Sequence, residues 1–105
     1  MISCMKPKAF VVVHSKWCTY CRIAIRAAET LSREFHAALK LLDIDVPNEE
    51  EEADLFVRRY GDWSEDYAIP QLFIECEDGT VQHLFTGASS IEAARAKLKK
   101  VLNPS

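Results

Sequence analysis

Apolar positions along the chain fall into a succession of short patterns. Ala9-Phe-Val-Val-Val-His14 is a continuous β-branched run, which predicts a strand buried on both faces. Ser15-Lys-Trp17 breaks the run. From Cys18 to about His36 the spacing turns helical, with Ile23, Ala24, Ala27, Ala28, Leu31 and Phe35 on one stripe. Leu39 to Ile44 predicts a second strand. Asn48 is the expected N-cap of a second helix, with Glu49 to Glu52 in its first turn, where acids complement the helix dipole. Ala53, Phe56, Val57 and Tyr60 form its apolar stripe and Gly61 its stop. Residues 62–69 carry no period. Gln71 to Cys76 predicts a third strand, and Asp78-Gly79 is a hairpin signal that pairs it with Val81 to Thr86. Ser89 and Glu92 form an expected capping box before a last helix, whose stripe is Ile91, Ala94, Leu98, Val101 and Leu102 and whose end is Asn103-Pro104.

The order is therefore β-α-β-α-β-β-α. The first β-α-β requires parallel strands joined by a right-handed crossover, and the closing β-β is an antiparallel hairpin. The expected fold is α/β: a three-layer sandwich with a central four-stranded mixed sheet and helices on both faces. A chain of 105 residues is a single domain, here 1–105, with residues 1–7 expected as a flexible tail.

Composition narrows the function classes. Hydrophobic residues at 49% and charged residues at 28% are ordinary globular usage. A net charge of −3 gives no reason to expect nucleic acid or an anionic membrane as partner. The charge is segregated, however: residues 43–66 hold ten acids against two bases. No run approaches the ~18 apolar residues of a membrane span. The start, Met1-Ile-Ser-Cys-Met-Lys-Pro-Lys8, does not read as a secretory signal. The expected setting is cytoplasmic and reducing, where cysteines serve catalysis or metal binding more often than structure.

A domain of this length needs no staple, so the four cysteines invite a chemical reading. Cys18-Thr-Tyr-Cys21 sits where the first strand ends and the first helix begins. Residues i and i+3 of a helical turn are neighbours, at a separation that suits the roughly 4.4–6.8 Å Cα range of a disulfide. At a helix N-terminus Cys18 meets unpaired N–H groups and the positive end of the dipole, which favours a thiolate, and Lys16 adds positive charge. Cys21, one turn in, is expected to be more buried and more basic. The rival is half of a zinc site. Zinc wants four ligands, and Cys4, Cys76, His14, His36 and His83 offer no second pair at suitable spacing. Cys4 and Cys76 are read as bystander thiols.

Three segments together carry a family resemblance. Lys16-Trp17-Cys18-Thr19-Tyr20-Cys21 after a buried strand resembles the active-site segment of the thioredoxin superfamily. Ala68-Ile69-Pro70-Gln71-Leu72-Phe73 resembles its cis-proline segment, and Gly87 in Phe85-Thr-Gly-Ala-Ser89 its glycine before the last helix. The order of elements agrees, so the likeness covers about residues 8–102. It implies a thioredoxin-like sandwich in which Cys18 is the nucleophile and Cys21 resolves the mixed disulfide. Trp17, Thr19, Tyr20, Ile69 and Pro70 would contact the substrate. The resemblance further implies a cis Ile69–Pro70 bond, with the backbone of Ile69 turned outward beside Cys18 to pair with an extended substrate segment.

The sequence also departs from the family. Val12 stands where thioredoxins carry a buried aspartate, and Leu41 where they carry a lysine, so the Cys21 proton needs another route; His14 and water are the candidates. Tyr20 is glutaredoxin-like and Trp17 thioredoxin-like. Gly87-Ala88-Ser89-Ser90 lacks the paired glycine and following aspartate with which glutaredoxins hold glutathione. The segment before Pro70 is about ten residues longer than in a typical thioredoxin. Within it, Trp63 or Tyr67 is expected either to line a groove beside the cysteines or to plug against the second helix. Asp62, Glu65 and Asp66 would favour basic targets.

The expectation is a monomeric dithiol–disulfide oxidoreductase without cofactor or metal. It would reduce disulfide-containing proteins and draw electrons from an unidentified reductase or glutathione. The alternatives are a glutathione-dependent, glutaredoxin-like reductase and a non-catalytic thioredoxin-fold binding module that holds a partner or a metal cluster through Cys18.

Overall fold

In the computed structural model, which describes residue 4 and residues 6–102, the β-branched run becomes β1 (Pro7–His14). It is followed by α1 (Thr19–Glu34), β2 (Ala38–Asp43), α2 (Pro47–Tyr60), β3 (Gln71–Cys76), β4 (Val81–Thr86) and α3 (Ile91–Leu102). The strands form one four-stranded sheet in the order β2-β1-β3-β4. β1 pairs parallel with β2 and antiparallel with β3, and β4 completes the hairpin. The protein is thus α/β, with a mixed sheet and three helices among the described residues.

Alternation along β1 divides the core in two, because successive side chains point to opposite faces. Phe10 and Val12 pack with Ala24, Ala28 and Leu31 of α1 and Ala94 and Leu98 of α3. Val11 and Val13 pack on the other face with Leu42, Phe73 and Ala53 and Val57 of α2. β1 is central and covered on both sides, which is why it has no polar alternation.

Element ends differ from the expectation where backbone constraints outweigh side-chain preference. Val46, not Asn48, is the N-cap of α2, since Pro47 occupies the first turn, where its missing N–H costs nothing. The side chain that caps α3 is that of Ser90, whose hydroxyl accepts the Ala93 N–H at 3.1 Å, rather than that of Ser89. Ile23, placed on the buried stripe of α1, is exposed at the groove between α1 and α3. The expected helix end at Asn103-Pro104 lies outside the described residues.

The start of the chain requires a larger correction. Cys4 is fully buried and disulfide-bonded to Cys76, so neither is a bystander thiol, and Pro7 belongs to β1 rather than to a tail. The Glu77 N–H donates to the Lys6 carbonyl at 3.1 Å, which lays this segment beside the end of β3. The rest of the expected tail, residues 1–3 and 5, lies outside the described residues. No helix among the described residues is long and apolar enough to cross a membrane.

The Cys4–Cys76 bond closes a loop across a sequence separation of 72. Chain-entropy reasoning assigns a loop of that length about 4 kcal/mol, with typical measured values of about 2–4 kcal/mol. The double variant Cys4→Ser/Cys76→Ser is therefore expected to lose about 2–4 kcal/mol of unfolding free energy in a urea titration. A loss below about 1 kcal/mol would show that the unfolded chain gains little freedom without it.

Candidate active site

Cys18 is the N-cap of α1, with extended backbone at φ −91° and ψ 112°, and its Sγ accepts the Cys21 N–H at 3.2 Å. N-caps satisfy one of the orphan N–H groups of a first helical turn, normally through a side-chain oxygen. Here a sulfur occupies that position. Cys21 lies one turn further in and is wholly buried, while Cys18 retains 8% of its surface. Both thiols are free. Burial first, then the hydrogen bond of Cys18, push the Cys21 thiol up to about 12; the Ser15 backbone opposes them, and the charge of Cys18 adds a lesser upward push. Lys16, Trp17, Thr19 and Tyr20 are all exposed around the pair.

The turn that presents Cys18 is tied down from below. The Cys18 N–H donates to the Ser15 carbonyl at 3.3 Å, and the buried Ser15 hydroxyl donates to Asp45 Oδ2 at 2.5 Å. Asp43 accepts the Asp45 N–H at 2.9 Å, and Glu49 Oε1 accepts the Asp43 N–H at 3.0 Å. The β1–α1 turn thus shares a polar network with the β2–α2 turn. His14 ends β1 and is buried, and among the described residues no hydrogen bond joins its ring to either cysteine.

The opposite wall is set by residues 61–71. The Ile69–Pro70 bond is cis. The Pro70 carbonyl accepts the N–H of Gly87 at 2.8 Å, and Gly87 holds φ +92°, a backbone state that side-chain-bearing residues adopt rarely. Gln71 is fully buried, and its amide serves the preceding loop at three points. Its Oε1 accepts the Asp62 N–H at 3.1 Å, and its Nε2 donates to the carbonyls of Ala68 and Asp62 at 3.0 and 3.3 Å. Gly61 must be small at this place. A Cβ there would lie 2.8 Å from Phe73 Cζ and would overlap the Gln71 amide oxygen. Gly61 therefore ends α2 through close approach, with φ at −111°, and not through a left-handed turn.

Between the two walls runs a groove of about 330 Å³ bounded by Trp17 and Ile69, with Trp63 and Tyr67 along it. Both descriptions expected for the aromatic pair hold, one for each residue. Tyr67 plugs against α2: it packs on the Val11–Phe73 core, and its hydroxyl donates to Asp54 Oδ1 at 2.7 Å. Burial, then that bond, push the Tyr67 phenol up, so it keeps its proton as a donor. Trp63 is 39% exposed and presents its ring to the groove, while the Arg58 guanidinium stacks on it at 4.4 Å. Asp62 does not line the groove. Its Oδ2 accepts the Thr86 hydroxyl at 2.6 Å, and His83 Nε2 lies 2.8 Å from that hydroxyl oxygen. Burial holds the His83 ring below the usual histidine range, outweighing the pull of Asp62.

Of the residues the sequence singles out, Trp17 and Ile69 line one groove; Cys18 directly follows the first in the chain and Pro70 the second, while neither cysteine is itself in the lining. The sequence reading missed Gln71. The signal was present: an amide at the head of a strand, directly after Pro70 and before the apolar run Leu72-Phe73-Ile74. It also missed the Cys4–Cys76 bond, for which a separation of 72 residues offers no local sign. Among the described residues no cluster of three or more His, Cys, Asp or Glu side chains is arranged to hold a metal ion. Compared with known proteins, the chain matches no family model and no curated protein.

The burial difference predicts the order of alkylation. With limiting iodoacetamide at neutral pH, the reduced protein should be modified at Cys18 while Cys21 is spared, as read by peptide mass spectrometry; equal labelling would contradict the geometry. The sign of the Cys21 shift adds a stability effect. An unfolded chain releases that proton near the ordinary thiol pKa of about 8.5, so the stability of the reduced protein should fall as pH rises from there towards about 12.

Gln71→Leu should cost about 2–4 kcal/mol in a urea titration, because buried loop groups lose their partners at about 1–3 kcal/mol each. A loss within about 0.5 kcal/mol would mean that water replaces the amide.

Proposed function

We propose that the protein is a thioredoxin-like dithiol–disulfide oxidoreductase that reduces protein disulfides through Cys18 and Cys21. The observation that carries the reading is the asymmetry of the pair. One sulfur caps a helix and keeps a small exposed surface next in the chain to the groove residue Trp17, and the other is wholly buried a single turn behind it and hydrogen-bonded to it through its backbone. Added support comes from the cis Ile69–Pro70 bond across the groove and from the order and pairing of the elements.

The chemistry is a two-electron exchange. The Cys18 thiolate attacks one sulfur of the target disulfide; that S–S bond breaks, a Cys18–target bond forms, and the departing target sulfur takes up a proton. Cys21 then attacks Cys18 Sγ, the mixed disulfide breaks, and the second target thiol leaves with a proton. The target is reduced and the Cys18–Cys21 pair oxidised. A reductase or glutathione, not yet identified, returns the two electrons.

Order is built into the pair. While Cys18 is a thiolate, its charge and its hydrogen bond both hold the Cys21 proton in place. Once Cys18 enters the mixed disulfide, its charge is gone, while burial, the largest influence holding the proton, and the opposing Ser15 backbone contribution remain. Cys21 thus ionises more readily after a target has been captured than before. Water, or His14 after a rearrangement, takes the proton.

On this reading Trp17, Thr19 and Tyr20 shape the rim around Cys18. The Ile69 backbone offers an extended target its N–H and C=O, which no described hydrogen bond engages. The protein acts as a monomer in a cytoplasmic setting, and the Cys4–Cys76 bond persists there because it is buried out of reach of an attacking thiolate.

Cys18→Ser should reduce insulin disulfides no faster than dithiothreitol alone. Cys21→Ser should retain target proteins as mixed disulfides that dithiothreitol releases. Full activity in Cys18→Ser would falsify the proposal, and capture of glutathione without any protein target would replace it with a glutathione-dependent reductase.

A further inference from the structure

The groove between Trp17 and Ile69 has a chemical character that the exchange reaction does not require. Part of its lining is apolar: Ile44, Ile69 and the 71% exposed Trp17. Another part is acidic, with carboxylates arriving from two separate segments. Glu50 and Asp54 come from one face of α2, and Glu65 and Asp66 come from the turn before Pro70. No lysine or arginine lines it.

These four acids differ from their neighbours in sequence. Glu52 is paired with Lys40, Glu49 caps the Asp43 N–H, and Asp62 is bound to Thr86. Among the described residues none of the four groove carboxylates has an ion-pair partner, and only Asp54 is engaged by a side chain, through the Tyr67 hydroxyl. The nearest described cation stack, Arg58 on Trp63, fixes the indole without entering the groove lining.

From this arrangement we infer a substrate class: the groove takes a lysine or arginine side chain about two positions from the disulfide cysteine of an extended target segment. The inference rests on the oxidoreductase reading, and it adds which disulfides are favoured. Such a side chain matches the groove in both parts, since its methylene stem can lie along Trp17 and Ile69 while its charged head reaches the acids. The carboxylates are not arranged to chelate a metal ion, which leaves a long organic cation as the better fit. Glutathione is a poor one, because it is a net anion and the groove would repel it. Successive side chains of an extended target alternate in direction, so the basic residue belongs about two positions from the target cysteine, at a rise of about 3.3 Å per residue.

The test compares the reduction of two disulfide peptides that are identical except at the position two residues from the cysteine, lysine in one and glutamate in the other. At about 0.02 M salt the lysine peptide should show a kcat/KM about tenfold higher, falling below about twofold at 0.5 M salt, where the groove charges are screened. The double variant Glu65→Gln/Asp66→Asn should lose most of the low-salt preference. Equal kcat/KM for both peptides, or a preference that survives in the variant, overturns the groove assignment and leaves the oxidoreductase reading standing. Titration of the oxidised protein with the same peptides carrying serine in place of cysteine separates the two readings. Preferential binding of the lysine peptide without turnover of its disulfide form would uphold the groove and overturn the oxidoreductase. Neither turnover nor preferential binding overturns both.

Discussion

A single buried amide holds in place the loop that forms one wall of the groove. Gln71 stands at the head of β3, sealed from solvent, and its side chain takes the place of backbone partners for the loop that leads into Pro70. That loop has no regular structure of its own, and a buried backbone group without a partner costs about 1–3 kcal/mol. With Gln71 in place, Asp62 and Ala68 are pinned at either end and the intervening residues form a bounded arch. Trp63, Glu65, Asp66 and Tyr67 all sit on that arch. Gly61 completes the device, since any side chain there would push the Gln71 amide out of position.

The opposite wall follows a different logic. Cys18 is presented by a helix N-terminus, where the orphan N–H groups of the first turn need acceptors and a sulfur supplies one. The same geometry places Cys21 behind it, in the core between sheet and helix. One local rule, the capping of α1, thus creates both an accessible sulfur and a sheltered one. What keeps the turn from wandering is polar and remote in sequence: Ser15 bonded to Asp45, and Asp45 to Asp43. The cost of holding a carboxylate there is offset by the hydroxyl and backbone donors around it.

Local rules of this kind are what the sequence displays well. The β-branched run, the Asp78-Gly79 hairpin and the position of Cys18 at a strand–helix junction each depend on neighbours a few residues away, and each element is present in the structure. The ends of elements are less legible because two signals compete within a turn: Pro47 displaced Asn48, and Ser90 displaced Ser89. Least legible are long-range pairings. Gln71 looks like an ordinary strand residue until the loop it serves is folded over it. Asp62 was grouped with Glu65 and Asp66 by sequence, yet Thr86 draws it towards β4 and out of the groove. Composition showed the acidic block; only the fold divides it into acids already satisfied and acids left facing a cavity.

The two cysteine pairs show why position rather than residue type decides the role. Cys4 and Cys76 meet where the Lys6–Glu77 backbone bond brings the chain start alongside β3, and both are shut inside the α1–α3 core. Thiol–disulfide exchange needs an attacking thiolate to reach a sulfur, so that bond is inert for as long as the core is closed. Cys18 has a different placement: it caps α1 directly after Trp17, which lines the groove, and it keeps a small exposed surface. The first pair restrains the unfolded chain, which favours the closed core. That core in turn supports the sheet from which both walls of the groove project. The Cys4–Cys76 disulfide and the free Cys18–Cys21 pair are therefore linked through the stability of the fold they share.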